Sequence, residues 1–114
     1  MANTFKLVTK AGVTSSDVIY TPDSVTTVVL GLILGNTTTS QVTATVSLAS
    51  TTSSRAGDNN ENNQTVELIT NTPIPAGSSL ELLAGNKVAM ENNDALSVSA
   101  TGSTDVALSI MEIS

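Results

Sequence analysis

The sequence has no cysteine, no histidine and no tryptophan, and its aromatic content is confined to Phe5 and Tyr20. Each absence closes a class of function. Without cysteine there is no disulfide, no thiolate nucleophile and no thiolate metal ligand. Without histidine there is no Ser-His-Asp triad and no imidazole metal site. Basic residues are scarce as well: Lys6, Lys10, Arg55 and Lys87 are scattered through 114 residues of net charge -6 and pI about 4.1. Nucleic-acid binding needs clustered Lys and Arg to displace counterions from phosphates, and an anionic membrane surface would repel such a chain. Long apolar runs are missing too. The longest, Val28 to Leu34, is seven residues including Gly31, against the roughly 20 that a membrane helix needs. The opening residues Met1 to Lys6 are polar and lack the apolar core of a secretory signal, so the expectation is a soluble protein made in a cytoplasm.

What the chain does contain is Ser and Thr, 33 of them, with 39% hydrophobic and only 12% charged residues. Disorder requires low hydrophobicity and high net charge, and the mean hydropathy here is positive at +0.18. Thr and Val are β-branched and fit a pleated, half-buried surface better than a helix. The length suits one domain, able to bury roughly two-thirds of the surface its unfolded form exposes.

Period-two patterning runs through the chain. Gln41 to Ala49 is the clearest case: Val42, Ala44, Val46 and Leu48 alternate with Gln41, Thr43, Thr45 and Ser47, giving one dry and one wet face. Thr4 to Lys10 places Phe5 and Leu7 on one face, and Val18 to Thr21 is a short strand closed by the turn signal Pro22-Asp23-Ser24. Val25 to Leu34 is apolar on both faces, with Val28, Leu30, Leu32 and Leu34 opposite Val29 and Ile33, as expected of a central strand or one beneath a partner. Gly31 and Gly35 leave room there for a bulge or a close neighbour. Further strands are expected at Thr65–Thr70, Ser78–Leu83, Lys87–Met90, Ala95–Ala100 and Asp105–Ile113. A rigid turn is expected over Pro73-Ile74-Pro75-Ala76-Gly77. In the last strand Val106, Leu108 and Ile110 share a face while Met111 and Ile113 take the other, which a bulge or burial on both sides would explain. Ser50 to Gln64 has no apolar period and reads as an exposed flexible loop. The expected fold is thus all-β: a single antiparallel β-sandwich or jelly-roll-like domain of about eight short strands spanning residues 1–114.

Groups that could carry chemistry are few. Glu81, Glu91, Asp94 and Glu112 could in principle pair for glycoside hydrolysis, but sugar clefts also use stacking aromatics, and solvated turn and edge charges are the simpler reading. The same lack weakens a lectin role, for which Tyr20 would be the usual stacking group. Asp58 to Asn62 resembles the start of a calcium loop, yet the sixth and twelfth positions hold Asn63 and Ile69, where an EF-hand needs Gly and Glu. The glycosylation triplets at Asn36 and Asn63 are as frequent as chance allows in a chain this rich in Asn, Ser and Thr, and no phosphate-loop motif occurs. No catalytic, cofactor-binding or metal-ligating residue is assigned, and the chain is expected to be a binding protein rather than an enzyme.

Thr26–Asn36 (TTVVLGLILGN), Pro73–Leu80 (PIPAGSSL), Asn93–Val98 (NDALSV) and Asp105–Ile113 (DVALSIMEI) together resemble segments of small β-rich structural proteins of marine and cyanobacterial tailed phages. Phe5–Leu7 and Lys10–Val13 fit the same pattern. The resemblance covers nearly the whole chain outside Ser50–Gln64 and implies a virion protein: a capsid decoration (cement) protein bound to the major capsid protein or other virion proteins. The alternative it implies is a tail, neck or fibre accessory module that binds a host receptor or glycan through the 50–64 loop. It carries over no active-site residues. On this reading the chain is a homo-oligomer located in the virion. Phe5, Leu7, Val29, Ile33, Met111 and Ile113 are expected to contact other proteins, and residues 1–10 form a possible N-terminal arm.

Overall fold

The computed structural model describes residues 3–51, 64–83 and 87–113, which form nine strands in two antiparallel sheets. In chain order these are β1 (Asn3–Val13), β2 (Ser16–Tyr20), β3 (Thr26–Asn36), β4 (Val42–Ser50), β5 (Gln64–Ile74), β6 (Ser79–Leu82), β7 (Val88–Met90), β8 (Ala95–Ala100) and β9 (Thr104–Ile113). One sheet has the order β1-β9-β3-β6, with β7 following β6 along the same edge of β3; the other has the order β2-β8-β4-β5. Counting β6 and β7 as one interrupted edge strand, each sheet has four strands, and the chain passes between the sheets as in a jelly roll. The all-β sandwich expected from period-two patterning is the observed architecture.

The core lies between the sheets. From β4 it takes Val42, Ala44, Val46 and Leu48, and from β8 Leu96, Val98 and Ala100. From the opposite sheet come Val29, Leu32 and Leu34 of β3 with Val106, Leu108 and Ile110 of β9. Each of these branched aliphatic side chains stabilises the fold by about 1.5–3 kcal/mol on burial. The turn from β5 to β6 is closed by the Ser78 amide donating to the Pro75 carbonyl at 3.1 Å. Gly77 at φ 70° occupies its third position, where a type II turn needs positive φ.

Three expectations change in detail. The strand expected to stop at Thr70 runs on to Ile74 and takes in Pro73, which faces Thr43. Proline is tolerated because β5 is an edge strand and the missing N–H is not needed by a neighbour. Within β3 the ladder to β9 passes from Val29–Ile110 directly to Gly31–Ser109, so Leu30 is an extra residue. That bulge switches the phase: Val29, Leu32 and Leu34 face inward, and Val28 and Ile33 face outward. Lastly, from Asn3 onward the possible arm of residues 1–10 is β1, paired with β9 from Asn3–Ile113 to Lys10–Val106. The 50–64 loop lies outside the described residues except at its ends.

Two polar clusters tie the sheets together. Tyr20 of β2 donates its hydroxyl to Glu112 Oε2 of β9 at 2.6 Å, and Lys6 of β1 pairs with Glu112 Oε1 at 2.7 Å. The Tyr20 proton being used there, the buried Thr27 hydroxyl, 2.8 Å away, must be the donor in its bond to Tyr20. The second cluster is built on Asn36 at the end of β3. Its Nδ2 donates to the carbonyls of Ser40 (2.8 Å) and Ile74 (2.9 Å), while its Oδ1 accepts from the Thr38 amide and hydroxyl.

Candidate protein-binding face

In the β1-β9-β3-β6/β7 sheet, the residues that alternate with the core residues form an outer face that nothing among the described residues covers. Register fixes its rows. Phe5, Met111, Val28 and Ala89 lie side by side across all four strand positions. The next row is Leu7, Ser109 and Gly31, and the one after that Thr9, Ala107, Ile33 and Glu81. Asn3, Ile113 and Thr26 form the row at one end, and Asp105, Gly35 and Ser79 lie at the other. Phe5 is 72% exposed, Leu7 64% and Ile33 45%, whereas Met111, Ile113 and Val28 are half-buried by their neighbours. A monomer seldom leaves so contiguous an apolar surface in water unless something binds there.

Five of the six residues singled out from the sequence therefore fall on one face: Phe5, Leu7, Ile33, Met111 and Ile113. The sixth, Val29, does not. It is fully buried against the opposite sheet, because the bulge at Leu30 turns it inward and leaves Val28 in the outward place. Half-burial of Met111 and Ile113 on this face, opposite Ile110, is what makes the C-terminal strand apolar on both sides.

The face carries little charge. Glu81 and Asp105 sit toward one end, where the Asp105 carboxylate accepts the Gly12 amide at 2.9 Å, and at the other end Glu91 accepts the hydroxyl of Thr26. At the Asp105 end the surface dips into an open depression of about 350 Å³, bordered by Thr9, Lys10, Ile33, Gly35, Asp105 and Ala107. A side chain at Gly35 would have room, since a Cβ there meets nothing nearer than the Asp105 carbonyl at 4.0 Å.

The other carboxylates considered for chemistry are spent on structure. Asp94 is fully buried, with Oδ1 accepting the Thr51 amide and Oδ2 the Glu91 amide. Glu91 accepts the Thr26 hydroxyl, and Glu112 lies in the Lys6–Tyr20 cluster. Lys6 is the main cause that holds the Glu112 carboxyl below its ordinary range, reinforced by the Tyr20 hydrogen bond. Burial pushes the Tyr20 hydroxyl up to about 12, assisted by its bond to Glu112. Glu81 stands apart from these on the outer face. Among the described residues no three acidic side chains gather where they could hold a metal ion. Asn36, the first residue of a glycosylation triplet, is buried with its amide fully engaged; Asn63 lies outside the described residues.

No family model matches the sequence, and no curated protein matches it. Among solved structures, a protein from Bacillus endospore appendages, a family of disulfide-linked pili, is 12% identical over 96% of this chain and 85% of its own, with a TM-score of 0.43. A chain of infectious bursal disease virus, Gx strain, is 10% identical with a TM-score of 0.39; the match covers 98% of this chain but 37% of the viral one. Likeness at that level is too low to carry a function.

Proposed function

We propose that this chain is a structural protein of a virus particle, a decoration protein of a tailed-phage capsid, which acts by binding protein surfaces and not by catalysis. The observation that carries this reading is the outer face of the β1-containing sheet. It is apolar, sparsely charged and uncovered, and it gathers five side chains that the sequence pattern marked as contacts. The sequence resemblance to small phage structural proteins supplies the setting. Low charge and many hydroxyls suit shallow contacts repeated over a lattice, where avidity holds modules whose single contacts are weak. The partners on this reading are the major capsid protein or other virion proteins.

Purified particles test it. Quantitative mass spectrometry, with imaging of the particle, is expected to find this chain in on the order of hundreds of copies per capsid. About a dozen copies or fewer, clustered at the tail or neck, would favour a tail or fibre module that binds a receptor or glycan. Detection only in lysate, never in particles, would refute a virion role.

A further inference from the structure

We infer that the outer face is covered by a second copy of this chain, packed sheet on sheet about a two-fold axis that runs across the strands through the row Leu7–Ser109–Gly31. This rests on the reading of that face as a protein-binding surface and names its occupant.

Three observations carry it. The first is area. Strand positions lie about 4.8 Å apart, and with β1 and β3 of eleven residues, β9 of ten, β6 of four and β7 of three they present about 640 Å², within the roughly 600–1,000 Å² per partner of a stable interface. The second is complementary relief along the strands. The axis row has small residues in its two central strands, Ser109 and Gly31, and nothing lies within 4 Å of a Cβ built on Gly31, so the sheets can approach there. On one side of that row stand Phe5, Met111 and Val28; on the other lie Thr9, Ala107 and Ile33. The two-fold sets the first group over the second: Met111 over the partner's Ala107, Val28 over the partner's Ile33, and Phe5 at the depression beside the partner's Thr9. Phe5 is 72% exposed, and the depression of about 350 Å³ has room for a phenyl ring. The distance agrees, since Phe5 and Thr9 are four residues apart, about 13 Å, and the axis row bisects them. The third is charge. Glu81 and Asp105 lie to the same side of the axis, so the rotation sets Glu81 over the partner's Ala89 and Asp105 over the partner's Ile113, each over an apolar side chain. A contact that is its own complement in this way closes as a dimer and does not propagate into a fibre.

The test is sedimentation equilibrium of the whole chain with exposed-residue variants, each checked for an unchanged thermal melt. The unaltered protein is expected at twice the mass of one chain. Phe5→Ala removes the knob and Gly35→Leu fills the depression, and each is expected to weaken association at least tenfold. Val66→Asp, on the exposed edge strand of the other sheet, should leave it unchanged. The chain lacks cysteine, so Ser109→Cys with a short bis-maleimide should yield a cross-linked dimer, and Val66→Cys should not. A monomer at all concentrations, a trimer, or a dimer indifferent to both Phe5→Ala and Gly35→Leu would overturn the inference. None of these outcomes bears on whether the protein is found in particles, so the inference and the virion reading fail separately.

Discussion

Asn36 shows how one buried amide can hold two layers of strands together. Both its donors and its acceptor are satisfied, and the Ile74 carbonyl it bonds belongs to the opposite sheet. Asn36→Ala leaves buried groups unpaired and is expected to cost about 2–3 kcal/mol in urea unfolding. Asn36→Asp should cost at least as much, because a carboxylate would face two carbonyl oxygens to which it cannot donate. Tyr20 permits a spectroscopic test, since it is the only tyrosine in a chain without tryptophan. Its hydroxyl is expected to titrate near 12 in the folded protein, against about 10 in urea, as read from tyrosinate absorbance. The folded value is the higher one, so the stability this group contributes is complete below pH 10 and lost as pH rises from 10 to 12. Glu112 has the opposite sign. Its folded pKa is depressed, chiefly by Lys6, so its contribution is present above the ordinary carboxyl range and lost as pH falls through the folded value. Neither Asn36 nor the Tyr20 cluster was legible in the sequence. Asn36 stood only as part of a chance glycosylation triplet, and Tyr20 and Glu112 lie 92 residues apart, where no local pattern joins them.

Strands β4 and β8 were legible because their alternation is unbroken, every second residue apolar and buried from Val42 to Leu48 and from Leu96 to Ala100. Strand β3 was legible as central and apolar on both sides, but not in phase. A period-two reading has no means of placing an extra residue, so a bulge at Leu30 exchanges Val29 for Val28 on the outer face while leaving the composition of the strand unchanged. The candidate site was otherwise readable, because Phe5, Leu7, Met111 and Ile113 keep their parity along strands paired without a shift from Asn3 to Lys10. The element most sensitive to a small change is the turn from β8 to β9. A Cβ at Gly102 would lie 2.6 Å from Cγ1 of the buried Val42 at the start of β4. Gly102→Ala is therefore expected to cost about 1–3 kcal/mol through overpacking. Val42→Ala, costly by itself as a cavity, should accept the new methyl. The double variant is then expected to be more stable than the sum of the single effects by about 0.5–3 kcal/mol, a coupling that urea melts of the four proteins would measure. Strict additivity would show that the turn moves aside at no cost.

For the molecule as a whole, the net charge of -6 and the sparsely charged outer face act against each other in any self-association. Two copies repel over long range while the surfaces that meet carry little charge, so salt should act mainly on the repulsion. The Debye length falls from about 30 Å at 0.01 M to about 8 Å at 0.15 M, comparable to molecular size at the first and short of it at the second. Self-association through the outer face is therefore expected to tighten severalfold as sodium chloride rises over that range, and sedimentation equilibrium measures the change directly. A dimer held by ion pairs would respond in the opposite direction, because screening would remove its attraction. The same reasoning separates the two contacts a decoration protein needs. If the acidic remainder of the surface seats the dimer on basic groups of a capsid, that step weakens with salt while the dimer itself holds, so high salt should release intact dimers from particles. Release as single chains would place the stronger bond between each chain and the capsid, leaving the apolar face as the capsid's own binding site.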